Sequence, residues 1–210
     1  MIIIIPNNIK LTCKQFFNII SPMKKILIPS LLLSTALFAD SQFYVGVLGG
    51  ANYESFGSPY NTSTSSPVAK VQLGYGDIKD YSVQLGLLYD KNNHNIFSTG
   101  TTNDKEKYSM DVELIKAFDF GWKLYPFLKA GFGAGYFNIN ADYTGGNKSS
   151  LNFSSYNAGA GAYYSLSEHF NLEAGVTYKS VSYEKIDPNA SAKGISTKVI
   201  FTYLGVNYRF

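Results

Sequence analysis

In a chain of 210 residues the single cysteine, Cys13, falls within the first 39, so residues 40–210 have no thiol for a disulfide or a cysteine-ligated metal centre, and their length suits one main domain. The formal net charge of +3 is no argument for nucleic acid, because Lys10, Lys14, Lys24 and Lys25 all fall in the first 39 residues, where there is no acid. Residues 40–210 carry 14 basic against 15 acidic side chains, so the basic balance belongs to the leader and signifies export.

That leader has the anatomy of a secretory signal peptide. After Met23 come Lys24 and Lys25, an apolar run over 26–38, and the small Ala39 before Asp40. The run is too short for a spanning helix, which takes about 20 apolar residues. Residues 1–22 read as an extension from a mis-assigned start. An uncleaved anchor is the alternative, but Pro6, Lys10, Lys14 and Pro22 interrupt each apolar stretch. The expected organisation is a signal region over 1–39, functional in 23–39, followed by one domain over 40–210.

From there the chain alternates apolar and polar residues in eight segments, near 42–53, 67–76, 81–90, 107–117, 123–138, 151–166, 170–184 and 195–210. Each is roughly ten residues or longer, enough for a tilted strand to cross a bilayer. Long polar connections are expected at 54–66, 91–106, 139–150 and 185–194, and short ones at 77–80, 118–122 and 167–169. Long loops on one side and tight turns on the other describe an outer-membrane meander, and no helical period interrupts it.

Sorting each strand by parity separates two faces. One carries Val45, Val47, Val71, Leu73, Leu85, Leu87, Met110, Val112, Leu128, Phe132, Leu172 and Val176 and almost no charge. The other carries Gly46, Gly74, Gly86, Gly131, Gly133, Gly159, Gly161 and Gly175, together with Lys70, Gln72, Asp111, Glu113, Lys129, Asn157, Glu173, Lys179, Asn207 and Arg209. A soluble lipocalin-like barrel would alternate in the same way with its apolar face turned inward. Repeated glycine weakens strands and has no use on a watered face, whereas a cramped lumen needs small residues between large polar ones. The polar face is therefore expected inside. Aromatics at the strand ends form two girdles: Tyr53, Tyr89, Tyr108, Tyr136, Phe153 and Tyr183 towards the long loops, and Phe118, Phe120, Trp122, Tyr125, Phe170 and Phe210 towards the short turns.

The last strand places Leu204, Val206, Tyr208 and Phe210 on one face up to the final residue, with Arg209 between the last two. This ending resembles the closing strand of the OmpA-type small outer-membrane β-barrel family, which ends in an aliphatic-x-Tyr-Arg-Phe pattern. The resemblance implies an all-β, eight-stranded antiparallel up-and-down transmembrane β-barrel in the outer membrane of a Gram-negative bacterium, without a periplasmic peptidoglycan-binding domain. It implies outer-membrane lipid and lipopolysaccharide as surroundings, and an assembly machinery that reads Leu204, Val206, Tyr208 and Phe210.

Other patterns carry less. The glycines of 131–135 mimic a dinucleotide loop, yet they recur with period two and no helix follows, so lumen packing accounts for them. His94, near Asp90 and Asp104, and His169, beside Glu168, sit in connections on opposite sides of the membrane and cannot share a metal. No cofactor, metal, nucleic acid or catalytic site is expected. A lipid A-modifying enzyme would have His94 alone at the outer rim, with no partner to activate. The expected function is a structural or surface-interaction role, with any host or surface ligand at the long loops. The lumen is expected to be plugged by ion pairs among Lys70, Asp111, Glu113, Lys129, Glu173, Lys179 and Arg209. Glu113 is expected opposite Lys129 and Glu173 near Arg209, with Asp111, Lys70 and Lys179 sharing the outer lumen. The alternatives are a narrow porin-like channel and a soluble periplasmic binder.

Two measurements test the termini. The intact mass of protein extracted from outer membranes is expected to correspond to a start at or near Asp40, and retention of residues 1–22 would refute the leader. Deleting Phe210 is expected to lower the amount reaching the outer membrane while leaving refolding in detergent largely unchanged; equal loss in the two assays would indicate an ordinary packing role.

Overall fold

The computed structural model describes residues 41–57, 61–92, 105–139, 150–184 and 195–210. The expected leader over 1–39 and His94 lie outside the described residues. Eight strands follow one another: β1 (Gln42–Phe56), β2 (Thr62–Gly76), β3 (Tyr81–Lys91), β4 (Glu106–Ala117), β5 (Leu124–Asn138), β6 (Ser150–Ser165), β7 (Phe170–Tyr183) and β8 (Ser196–Arg209). Each pairs antiparallel with its neighbour in sequence, and β8 returns to β1, so the sheet closes into a barrel with no free edge. Closure satisfies every ladder within the protein, as a membrane interior without water requires.

The first connection is shorter than the sequence suggests. Residues 54–66 read as a long polar loop, but β1 runs on to Phe56 and β2 begins at Thr62, with Ser55 opposite Ser63 and Phe56 opposite Thr62. The Ser/Thr run is polar like a loop, but its parity continues the strand, with Thr64 and Ser66 buried and Ser63 and Ser65 exposed. The tight turns have local causes. Asp77 Oδ1 accepts the backbone N–H of Lys79 at 2.8 Å, and Asp119 Oδ1 accepts that of Gly121 at 2.7 Å. Gly121 has φ +77°, a conformation that glycine adopts without strain.

The outward face is apolar as expected, with Val47, Val71, Leu87, Met110, Leu114, Leu128, Phe132 and Leu204 exposed. Tyr89, Tyr108 and Tyr136 stand side by side across β3, β4 and β5 at the loop end, with ring centroids 5.3 Å apart at each step. Three aromatics assigned to the girdles turn inward instead. Tyr125 and Tyr183 are buried in interior clusters, and Phe153 packs against the one that holds Tyr183. Each sits one residue out of phase with the outward face of its strand, so parity overrides nearness to the strand end.

The interior is also more apolar than expected. Phe56, Phe137, Ile139, Leu151, Val181, Tyr183 and Val199 cluster at the loop end, and Ile78, Ile115, Ala117, Tyr125, Phe127 and Tyr163 cluster at the turn end. A third group holds Leu48, Val68, Leu88, Phe201 and Tyr203. Glycines make the room for these side chains. A Cβ on Gly74 would lie 2.0 Å from Tyr44 Cζ, one on Gly161 2.5 Å from Phe127 Cζ, and one on Gly205 2.2 Å from Leu48 Cδ2.

Gly74→Ala is therefore expected to displace the buried Tyr44 ring and lower the stability of the refolded barrel by about 1–3 kcal/mol. Gly49→Ala, on the outward face with nothing within 4 Å of the added methyl group, is the control expected to be neutral or slightly stabilising. Urea midpoints of the two variants in detergent micelles measure the difference.

Candidate functional site: the charged interior of the barrel

Strand alternation aims Lys70 and Gln72 of β2, Gln84 of β3, Asp111 and Glu113 of β4, Lys129 of β5, Glu173 and Lys179 of β7 and Asn207 of β8 into the lumen, where all are buried. Glu113 is the centre. Its Oε2 lies 2.6 Å from Lys70 Nζ and accepts from Gln84 Nε2 at 2.9 Å, while its Oε1 lies 3.1 Å from Lys129 Nζ. Tyr44 donates its hydroxyl to Gln84 Oε1 at 3.1 Å, and Lys129 Nζ sits 4.7 Å from the centroid of the Tyr203 ring.

Register explains which groups meet. Glu113 faces Gly131, and Lys129 faces Ile115, so this pair forms on the diagonal and not directly across the hairpin. Lys70 was expected with Asp111 and Lys179 in the outer lumen. It crosses β3 over Gly86 instead, where a Cβ would lie 2.3 Å from Lys70 Cε, and reaches Glu113. Lys179 and Asp111 pair with each other.

Glu173 was expected near Arg209, but β7 and β8 align Glu173 with Gly205, four residues from Arg209. The carboxylate is held by amides: Glu173 Oε2 accepts from Gln72 Nε2 at 2.7 Å and from Asn207 Nδ2 at 2.8 Å. Arg209 lies at the turn-side mouth, beside Lys79 and Lys123. The outward residues of the closing strand, Leu204, Val206 and Phe210, are exposed. The Tyr208 ring lies 5.1 Å from that of Phe170 and 5.2 Å from that of Phe210, and the Phe210 backbone N–H donates to Phe43 O at 3.0 Å.

Nearer the loops is a second network that the sequence reading did not assign. Glu54 pairs with Lys107 and accepts the hydroxyls of Tyr183 at 2.9 Å and Thr197 at 2.6 Å. Lys107 Nζ also lies 4.8 Å from the centroid of the Phe137 ring. Beside it Asn52 donates to Asp90 Oδ2 at 2.7 Å. Glu54 opens the expected 54–66 loop, and Asn52 and Asp90 fall at the ends of the expected strands 42–53 and 81–90, yet each continues the inward parity of its strand, which is the available signal. Asn52, Glu54, Asp90, Lys107 and Tyr183 line a cavity of about 30 Å³. A water takes roughly 10–15 Å³ by this measure, so the space suits isolated waters.

His169 is exposed in the third turn, with Nδ1 3.0 Å from the Arg209 carbonyl oxygen. Among the described residues no three His, Cys, Asp or Glu side chains converge as a metal ion would require. The arrangement offers charge neutralisation inside a closed sheet.

The family described as "Outer membrane protein beta-barrel domain" matches residues 26–210. No curated protein sequence matches the chain. Among solved structures, Neisserial surface protein A is similar at 19% identity over 81% of this chain and 99% of its own, with a TM-score of 0.58. The attachment invasion locus protein Ail of Yersinia pestis, solved with the heparin analogue sucrose octasulfate, is similar at 14% identity over 80% and 99%, with a TM-score of 0.50. At these identities the likeness is one of fold. An eight-stranded closed meander, an apolar outer face and a match across nearly all of the strand-forming chain lead to one assignment: this chain belongs to the outer-membrane β-barrel domain family, and its place is the outer membrane.

Proposed function

We propose that this barrel is a closed, non-enzymatic outer-membrane protein with a structural or surface-interaction role, its lumen held shut by ion pairs. The observation that carries the reading is Glu113 bracketed by Lys70 and Lys129, with the three residues 1%, 1% and 4% exposed. In so narrow an interior each charge depends on its partner, because separating them would leave an ion without counter-charge or bulk water. The apolar clusters above and below this layer further disfavour a continuous water column.

A surface role draws support from the longer connections, 92–105, 139–149 and 184–195, which all leave the barrel on the side opposite the tight turns. The two fold neighbours named above are, by name, a surface protein and an attachment protein. The proposed partners are outer-membrane lipid and lipopolysaccharide, the assembly machinery through the closing strand, and a surface ligand at the loops. Delivery by a cleaved signal peptide belongs to the same proposal.

Reconstitution into a planar bilayer tests the closed lumen. The unmodified protein is expected to pass no steady current, and a large, stable conductance would instead support a narrow porin-like channel. Glu113→Gln strands two buried lysines and is expected to cost about 3–5 kcal/mol or to admit water and small ions. Lys129→Ala is expected to cost less, because Lys70 still pairs with Glu113. An equal or larger cost for Lys129→Ala would contradict the bracketed arrangement.

A further inference from the structure

The turn side of the barrel holds a concavity of about 520 Å³ into which three different parts of the chain deliver a cation: Lys79 from the first turn, Lys123 just before β5, and Arg209 at the end of β8. None of the three is in an ion pair among the described residues. Lys116, at the end of β4, differs in being paired with Asp80. The neighbouring acids are engaged elsewhere: Asp77 and Asp119 hold the backbone N–H groups of their own turns. Glu168 is the one acid in the lining, set against three bases.

Arg209 is itself only partly buried, and the planar guanidinium can present its terminal N–H groups to a planar or tetrahedral oxyanion. Ser167 supports the same polarity. Its Oγ accepts the backbone N–H groups of His169 at 3.3 Å and Phe170 at 3.1 Å, which leaves its hydroxyl proton free to donate into the concavity that it lines.

The depth of the site identifies the class of anion. Short turns of an outer-membrane barrel face the periplasm. Phe118, Phe120, Trp122, Phe170 and Phe210 are exposed around this mouth, as an aromatic belt at headgroup level is. Leu166, 53% exposed, stands in the lining itself. Three cations with an apolar neighbour at headgroup depth match a phosphate that carries acyl chains. We propose that Lys79, Lys123 and Arg209 form a binding site for the phosphate of an anionic glycerophospholipid in the periplasmic leaflet. The phosphate meets the cations and the Ser167 hydroxyl, and the glycerol and first acyl carbons lie along Leu166.

Native mass spectrometry of the detergent-extracted full barrel tests the proposal, with phosphatidylglycerol and phosphatidylcholine offered in equal amounts. The unmodified protein is expected to retain phosphatidylglycerol in about tenfold preference, and Lys79→Gln combined with Lys123→Gln is expected to abolish that preference. The two lysines lie in turns, so heat-modifiable migration on gels is expected to show an intact barrel in the double variant. Equal retention of the two lipids, or a preference that survives in the folded double variant, would overturn the site. Inorganic phosphate at millimolar concentration is the third arm. Failure to displace the lipid supports a lipid ligand, and full displacement overturns the lipid assignment in favour of free phosphate.

Discussion

Eight strands make a narrow barrel, and the shortage of interior space governs how this molecule is built. A sheet that closes on itself satisfies its backbone without water, but at this strand number side chains must fill the inside. Large inward residues can be seated only where a facing strand yields volume. Tyr44 lies over Gly74, Lys70 over Gly86, Phe127 over Gly161 and Leu48 over Gly205. The glycines are therefore the negative image of the interior, and they decide which long side chains can cross a neighbouring strand. Lys70 meets Glu113 two strands away because the residue between them has no Cβ.

The same shortage sorts the interior into layers. Apolar and aromatic groups cluster at the loop end and the turn end, and charged groups share the space between with Leu48, Val68, Leu88, Phe201 and Tyr203. A charge so placed must find its counter-charge or its hydrogen bonds within the barrel, since neither the bilayer nor bulk water can supply them. Three solutions occur side by side. Glu113 takes two lysines, Asp111 takes one, and Glu173 takes the amides of Gln72 and Asn207 without a cation. Nearer the loops, Glu54 gathers Lys107, Tyr183 and Thr197 into a fourth cluster. Networks of this kind constrain the strands that contribute to them, and the Glu54 cluster draws on β1, β4, β7 and β8 at once.

The two mouths differ in consequence. At the loop end the inward charges are drawn into networks under an apolar cluster, whereas at the turn end Lys79, Lys123 and Arg209 line one concavity with Glu168, and none of the three is in an ion pair among the described residues. A protein whose outer face gains nothing from burial against water relies on such end contacts to hold its depth and orientation in the bilayer. The exposed aromatics Trp122, Phe120 and Phe210 act at the same level as these cations, so the two kinds of anchor reinforce each other.

Much of this was legible in the chain because a strand leaves no freedom in where alternate side chains go. Period two assigned the eight strands and separated Leu128 from Lys129 and Val112 from Glu113, and the repeated glycines of the polar face told which face turns inward. The same parity covers the exceptions: Tyr125, Tyr183 and Glu54 point inward with their strands, although nearness to a strand end suggests a girdle for the two tyrosines and polar composition suggests a loop for Glu54. Parity says that a side chain points inward but not how far along the axis it lies or what it meets. Those depend on the stagger between strands, which only closure of the sheet sets. That stagger aligned Glu173 with Gly205, four residues from Arg209, put Lys129 diagonal to Glu113, and brought Lys79, Lys123 and Arg209 from three separate parts of the chain to one mouth. The sequence by itself determined the faces, because alternation is a local property of the backbone; the tertiary structure decided the partners, because they come from strands whose relative heights no local pattern encodes.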